Sequence, residues 1–457
     1  MNPGSGTARV PEIAIDVVEA GGPARNGRVP LDLAHDVQFS TAGLESYAFA
    51  RWKPVIFDAM AVAAAIEYGD RIIRRSSQGW ARRVSVRTPV HDPDRWNAPA
   101  VLVALRDAVE FLTGDYWDFE FVRRACPAPS PRQDLLNLPV KTQAVLSYSD
   151  GMDSRAVAAI VGHSLGDKLV RVRVGAKSWD RPRKEDGLEP FAKVPYEVPC
   201  NMPNRESSAR SRGFRFALIS GVAAYLVEAD EIIIPESGQG AFGPALINVG
   251  HAYPDFRNHP LFTERMERFL NNLLRTQLRF VFPRLWHTKG ETLREFLLLT
   301  GSGKWETTRS CWRSNQWSSV NGKLRQCGVC AACMLRRVSV DAAGLAEVPG
   351  TYVATDMTAP TLEEAVDKDF TKLNAAFREY AIAGVLHMDH LADMAEPDAA
   401  PLLKRHATLV APAIGISCEE SEQRLNELFR KHAQEWKSYL SSLGRNSFVM
   451  RWARSDR

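Results

Sequence analysis

From Gln143 onward the chain alternates short apolar stretches of strand length with helical ones, and this alternation restricts its fold more than any other feature. Gln143–Tyr148 reads as a strand, Ser154–His163 as a helix and Lys168–Val174 as a strand. K-V-P-Y-E-V (Lys193–Val198) reads as a further strand, Phe214–Glu228 as a helix apolar almost all round, and Glu231–Pro235 as the closing strand. Strands and helices in alternation predict an α/β fold with a parallel sheet, right-handed crossovers and helices on both faces. Ligands of such sheets sit at the carboxyl ends of the strands, and S-D-G-M-D-S (Ser149–Ser154) falls at one of them.

A strand that ends in a small-residue turn and opens a helix aims several backbone N–H groups at one point, with the positive end of the helix dipole behind them. An anion binds there without a lysine. The loop lacks the Gly-Lys-Ser/Thr ending with which a Walker loop holds outer phosphates, so its chemistry points to an inner phosphate. The ordinary alternative is a Ser/Gly/Asp-rich turn with no ligand.

The chain has 7 cysteines, too few for a disulfide scaffold at 457 residues. Cys311, Cys327, Cys330 and Cys333 follow a C-x15-C-x2-C-x2-C spacing, and four soft thiolates suit a tetrahedral Zn²⁺ whose closed shell leaves it structural. An iron–sulfur cluster is the competing metal. Cys126, Cys200 and Cys418 read as ordinary small residues.

The flanks are less regular. Residues 1–30 read as a flexible tail, and 31–130 as a small N-terminal α+β domain closed by the linker Cys126-Pro-Ala-Pro-Ser-Pro. Within it, R-R-V-S-V-R-T-P-V and W-D-F-E-F-V alternate like strands, and Ala98–Leu112 spaces its apolar residues like a helix. Two helical stretches follow between Leu261 and Leu299, and 345–457 reads as a helical C-terminal extension with an amphipathic helix over Ser421–Leu440. No signal peptide or membrane span is expected, because the best apolar run, Pro54–Ile66, contains Asp58; a cytoplasmic location follows. With 58 Lys and Arg against 54 Asp and Glu, charge gives no argument for nucleic-acid binding.

S-D-G-M-D-S resembles the S-G-G-x-D-S signature of the N-type ATP pyrophosphatases, the PP-loop enzymes. With the cysteines it resembles the 7-cyano-7-deazaguanine synthase (QueC) family. H-A-Y-P-D-F-R (His251–Arg257) is similar to that family's G-Y-P-D-C-R, T-K-G-E (Thr288–Glu291) to its T-K-x-E, and S-C-W with C-G-V-C-A-A-C-M-L-R (Cys327–Arg336) to its cysteine segment. The resemblance spans about Lys141–Gly344 and implies a parallel-sheet PP-loop (HUP-like) domain over 141–344. It implies a nucleotide site of Ser147, Ser149, Asp150, Gly151, Met152, Asp153, Ser154 and Val174, with Asp153 also contacting Mg²⁺. Tyr253, Asp255 and Arg257 would hold a planar purine-like acid, and Arg212 and Arg215 are further contacts. Lys289 would stabilise charge on the α-phosphate, beside Asp153 and Arg257 as catalytic residues. Asp150 departs from the pattern, where a glycine is usual, and should point away from phosphates or be neutralised by a metal or an arginine. Thr288 and Glu291 also satisfy a helix capping box, which can be their whole role.

The implied reaction uses ATP, Mg²⁺ and Zn²⁺: the carboxylate of 7-carboxy-7-deazaguanine is adenylated, ammonia displaces AMP, and a second activation gives the nitrile. The added flanks resemble the extended members found in bacterial antiphage defence, where the acceptor could instead be an amino group on a partner protein. A homodimer is possible, and neither a membrane nor a nucleic-acid partner is expected. Two other readings remain: another PP-loop enzyme, such as a tRNA-modifying thiolase or amidating synthetase, and a zinc-stabilised nucleic-acid-binding module.

Overall fold

The computed structural model describes residues 10–19, 21–39, 53–75, 81–126, 142–176, 191–200, 202–203, 205–206, 209–250, 252–301, 303–312 and 318–453. The first nine residues, His251 and the linker after Cys126 lie outside these. The described chain divides into two compact units, each discontinuous in sequence. The first comprises residues up to Tyr148 with Leu165–Ile234 and Phe262–Val281; the second comprises Ser149–Ser164, Pro235–Leu261 and everything from Phe282.

The first unit contains two sheets. The smaller has the order β2-β1-β4-β5, from β1 (Glu12–Val18), β2 (Val29–Asp32), β4 (Arg83–Val90) and β5 (Tyr116–Arg123), and all its pairings are parallel. The larger has the order β10-β9-β6-β7-β8-β3, from β3 (Gln38–Phe39), β6 (Ala144–Tyr148), β7 (Leu169–Ala176), β8 (Phe191–Glu197), β9 (Glu231–Ile233) and β10 (Arg279–Val281). Only β3, at its edge, is antiparallel. The expected parallel α/β sheet is therefore present.

Two expectations for the N-terminal part need correction. Residues 12–18 are no tail: Ile13, Ile15 and Val17 are buried, and β1 sits inside its sheet with strands on both sides. E-I-A-I-D-V-V is short and follows a Gly/Pro-rich start, and that composition hid its alternation. The domain is also α/β in character rather than α+β, because each pair in its sheet runs parallel.

The helix Pro54–Arg71 is buried along almost its whole length, acidic residues included. Each of those acids has a partner: Asp58 Oδ1 meets His91 Nδ1 at 2.7 Å, Glu67 meets Arg215 at 2.8 Å, and Asp70 takes Arg75 at 2.7 Å and Arg82 at 3.1 Å. Buried carboxylates persist only when paired in this way, and Asp115 completes the last cluster by binding both arginines at 2.6 Å.

The second unit is mainly helical: Met152–Leu165, which starts in it, then Gly238–Leu246, Lys289–Thr300, Ala331–Ala342, Ala375–Ala392, Ala400–Ile414 and Cys418–Leu443. One apolar cluster joins the four cysteines to Met334, Val338, Phe377, Val385 and Trp436. The residues after 344 are thus not a separate body; they pack in one core with the cysteine segment. At Gly384 a side-chain carbon would lie 2.1 Å from the Val329 carbonyl, so the helix Ala375–Ala392 rests directly on the Cys327–Cys330 turn. The strand expected over Glu231–Pro235 stops at Ile233, and E-S-G-Q-G, just beyond it, leads into the helix Gly238–Leu246.

Candidate active site

The turn after β6 begins the second unit. Ser149 Oγ and Ser154 Oγ are 2.9 Å apart, and the Gly151 N–H donates to Ser149 Oγ at 3.2 Å. The helix Met152–Leu165 follows at once, so its first N–H groups face the turn. Met152 is buried with Ala156, Leu293, Phe296 and Trp305; its side chain anchors the helix, and only its backbone is left for a ligand. The Asp150 carbonyl accepts from the Arg309 N–H at 2.9 Å, which ties the turn to the segment before Cys311.

Lys289 supplies a cation beside this turn. It is buried, and Nζ lies 2.5 Å from Asp153 Oδ2. Burial alone would lower the ammonium pKa, but the Asp153 and Glu236 carboxylates outweigh it and hold it above the usual lysine value. The capping box read from the sequence exists: Thr288 Oγ1 accepts the Glu291 N–H, and the Glu291 carboxylate takes the Thr288 N–H at 2.8 Å. That box starts the helix Lys289–Thr300 and so sets where Lys289 departs from the backbone. Asp153 Oδ1, by contrast, is buried with no hydrogen-bond partner among the described residues.

Glu236 was not among the expected site residues. It belongs to this cluster: burial, then the Asp153 carboxylate, push its pKa up to about 8, while Lys289, Asn258 and Arg257 pull the other way. Asn258 donates to Glu236 Oε2 at 2.8 Å. Asn258 directly follows Y-P-D-F-R, so Glu236 links that segment to the lysine and the loop. Within the segment, Arg257 Nε donates to Asp255 Oδ2 at 2.6 Å, the Arg257 N–H donates to Oδ1 at 3.1 Å, and Tyr253 is half-buried. The Asp255 N–H donates to the Pro244 carbonyl at 3.0 Å, fixing the segment to the helix Gly238–Leu246.

The remaining expected residues lie in the first unit. Ser147 Oγ is 2.7 Å from Ser220 Oγ, and Val174 is half-buried in β7. Arg212 begins the helix Arg212–Leu226, its guanidinium over the Phe216 ring. Arg215 is committed to Glu67 and stacks on Tyr196 at 4.9 Å.

The raised carboxyls set a pH dependence. Glu236 is pushed up to about 8, and burial pushes Glu435, on the helix Cys418–Leu443, from 4.5 up to about 7. In that window the folded chain holds more protons than the unfolded chain, so folding stability falls as pH rises from about 4.5 towards 8. Replacing Glu435 by Gln is expected to remove the part of this fall between about 4.5 and 7, on the order of 3 kcal/mol at most, in denaturant titrations across pH. An unchanged slope would refute the assignment.

Cys311, Cys327, Cys330 and Cys333 are all buried, and their sulfurs lie within 4.8 Å of one another. Backbone N–H groups already point at two of them: Cys327 N–H at Cys311 Sγ, 3.2 Å, and Cys330 N–H at Cys327 Sγ, 3.3 Å. Donors aimed at sulfur stabilise thiolates, so the set can hold a zinc ion in a closed structural site. No helix among the described residues is long and apolar enough to cross a membrane.

Comparison with known families agrees with this geometry over part of the chain. A search of curated proteins found no match to this chain. Residues 243–344 match the family model described as "Queuosine biosynthesis protein QueC", a stretch that contains Y-P-D-F-R, Lys289 and the four cysteines and begins after the phosphate loop. Over residues 243–344 the chain is similar to QueC, and it continues on both sides of the matched segment.

Proposed function

We propose that this chain adenylates the carboxylate of 7-carboxy-7-deazaguanine, or a close analogue, with ATP and transfers the acyl group to an amine. One observation carries the reading: a buried lysine locked onto the aspartate of a phosphate-type turn, in the same unit as Glu236, Asn258, Asp255 and Arg257. The N–H groups at Gly151–Ser154 receive the diphosphate end of ATP. A carboxylate oxygen of the acid attacks the α-phosphorus, the bond to the bridging oxygen breaks, and pyrophosphate leaves. An ammonium has three donors and Asp153 engages one, so Lys289 keeps N–H groups for the charge that develops on the α-phosphate. Asp153 Oδ1 is the atom available to a Mg²⁺, which would neutralise phosphate charge when bound. Arg257 can turn part of its guanidinium from Asp255 to the acid's carboxylate, and Tyr253 supplies a wall for the ring. The amine nitrogen then attacks the acyl carbon, AMP departs, and the amine loses a proton to solvent or a carboxylate.

The acceptor is ammonia, leading to the amide and after a second activation the nitrile, or an amino group on a partner protein in a bacterial antiviral system. The protein is to be incubated with the deazapurine acid, ATP and Mg²⁺, with and without ammonia or a candidate partner, while pyrophosphate, AMP and product mass are followed. A nitrile identifies the small-molecule synthase, and added mass on a protein identifies conjugation. If no combination yields AMP, the ligase reading fails.

A further inference from the structure

Lys289 is held by more than its own helix. Its backbone N–H donates to Gln239 Oε1 at 2.7 Å. The Gln239 amide has one possible orientation, because its nitrogen is engaged by two acceptors: His432 Nδ1 at 2.9 Å and Glu435 Oε2 at 3.3 Å. His432 is an acceptor at Nδ1 because its Nε2 lies 3.0 Å from the Met388 carbonyl, which can only receive a proton. Burial keeps this imidazole neutral, with its pKa lowered to about 4. Glu435 uses its other oxygen on the same turn: Thr288 Oγ1 donates to Oε1 at 2.5 Å. Gly290 leaves room for that contact, since a side-chain carbon there would lie 2.7 Å from Glu435 Oε1. Behind Glu435, Trp436 Nε1 donates to Asp389 Oδ1 at 2.9 Å, so the helix that carries it is pinned to the helix Ala375–Ala392.

From this continuous line of hydrogen bonds we infer that Glu435, acting through Thr288 and Gln239, is a positioning residue for Lys289, and that the C-terminal helices are a working part of the nucleotide site. The inference rests on the reading of Lys289 as a phosphate ligand. Glu435 approaches the lysine's turn from two sides, gripping the residue before it directly and its own N–H through Gln239. A carboxylate suits both contacts because both are donors. An amide in its place can accept from Thr288, but then turns its NH₂ against that of Gln239.

The test uses the full-length protein as wild type, Glu435→Gln and Glu435→Ala. ATP-dependent pyrophosphate release is resolved into kcat and KM, beside thermal unfolding and the rate at which an amine-acetylating reagent modifies Lys289, read by mass spectrometry. In Glu435→Gln, kcat is expected to fall by roughly threefold to tenfold, with KM for ATP little changed and stability at neutral pH equal or higher. Glu435→Ala is expected to lose more than about tenfold in kcat and to acetylate faster at Lys289 than wild type, other lysines being unaffected. Activity lost while stability is kept is an outcome that a purely structural carboxylate does not produce. Wild-type kcat and acetylation rate in both variants, or activity lost only in step with stability, would overturn the inference. If the wild type releases no pyrophosphate, the ligase reading fails while the acetylation rates still decide the positioning role; should Glu435→Ala not fold, Glu435→Gln decides it by the same measures.

Discussion

Cys330→Ser is expected to lose its metal and to melt the second unit at a temperature at least about 10 °C below that of the wild type. Cys330 is fully buried and caps the helix Ala331–Ala342, so its sulfur is one of four converging thiols able to hold a metal and its backbone begins the helix that carries another, Cys333. A serine hydroxyl is a poor substitute for a thiolate, and three remaining sulfurs hold zinc far more weakly. A structural zinc site contributes about 10–16 kcal/mol in small isolated domains, comparable to or above the usual net stability of about 5–15 kcal/mol. The loss spreads because the cysteines share one core with Phe377, Val385, Met388 and Trp436, and Gly384 lies against the Val329 carbonyl between two of the ligands. Metal content by mass spectrometry and calorimetric melting check this together. Cys126→Ser and Cys418→Ser are the controls, since both residues are exposed and outside the cluster; each should retain one metal per chain and wild-type melting. Full metal content in Cys330→Ser would show that the site is not a four-sulfur one.

Local chemistry made the main parts of the site visible in the sequence. The strand, turn and helix around Ser149–Ser154 show as a change of hydrophobic period, and the capping box at Thr288 shows as residue types three apart. The cysteine set shows as spacing, and Ser421–Leu440 lies within a real helix. What stayed hidden depends on contacts between distant residues. Glu236 directly follows the expected strand Glu231–Pro235 with no motif around it, and only its proximity to Asp153, Lys289 and Asn258 gives it a role. Gln239 and Glu435 are 196 positions apart, and on its helix Glu435 is indistinguishable from the solvated glutamates around it. β10 is three residues long, too short to show a period, and Arg279–Val281 was absorbed into a helical stretch. β1 was obscured by the composition of its neighbours.

The packing also gives the extension a role at the site. An amphipathic helix over Ser421–Leu440 reads first as a helix docked on a core, and Leu425, Leu428 and Phe429 are indeed buried with Phe242 and Leu285, while His432 and Glu435 reach the start of the lysine helix. Removing the extension would expose that core and leave Gln239 without both partners of its amide nitrogen. A partner protein that moved the helix Cys418–Leu443 would act on Lys289 through the same bonds.

Lys289→Met is expected to lower kcat for pyrophosphate release by roughly 10²–10³-fold, because a fixed charge at the developing phosphate anion is worth about that much when removed from a dry site. Methionine matches the length and the apolar stem of lysine, so packing in the cavity is kept and the missing element is the ammonium. KM for ATP should change far less, since main-chain N–H groups provide much of the hold on the diphosphate. Lys289→Arg keeps the charge but brings a planar fork to a place shaped for a point charge 2.5 Å from Asp153, and should recover only part of the rate. The loss also has a pH signature. Without the ammonium, Glu236 faces the Asp153 carboxylate with only Asn258 and Arg257 to offset it, so its folded-state pKa rises further. The variant's stability should therefore fall more steeply with increasing pH than that of the wild type, with a larger deficit at about pH 8 than at about pH 6. Thermal melts across that interval, run beside the kinetics, test both halves of the argument. A Lys289→Met protein with wild-type kcat would remove Lys289 from the chemistry, and parallel stability curves would separate Lys289 from the two carboxylates it is placed to neutralise.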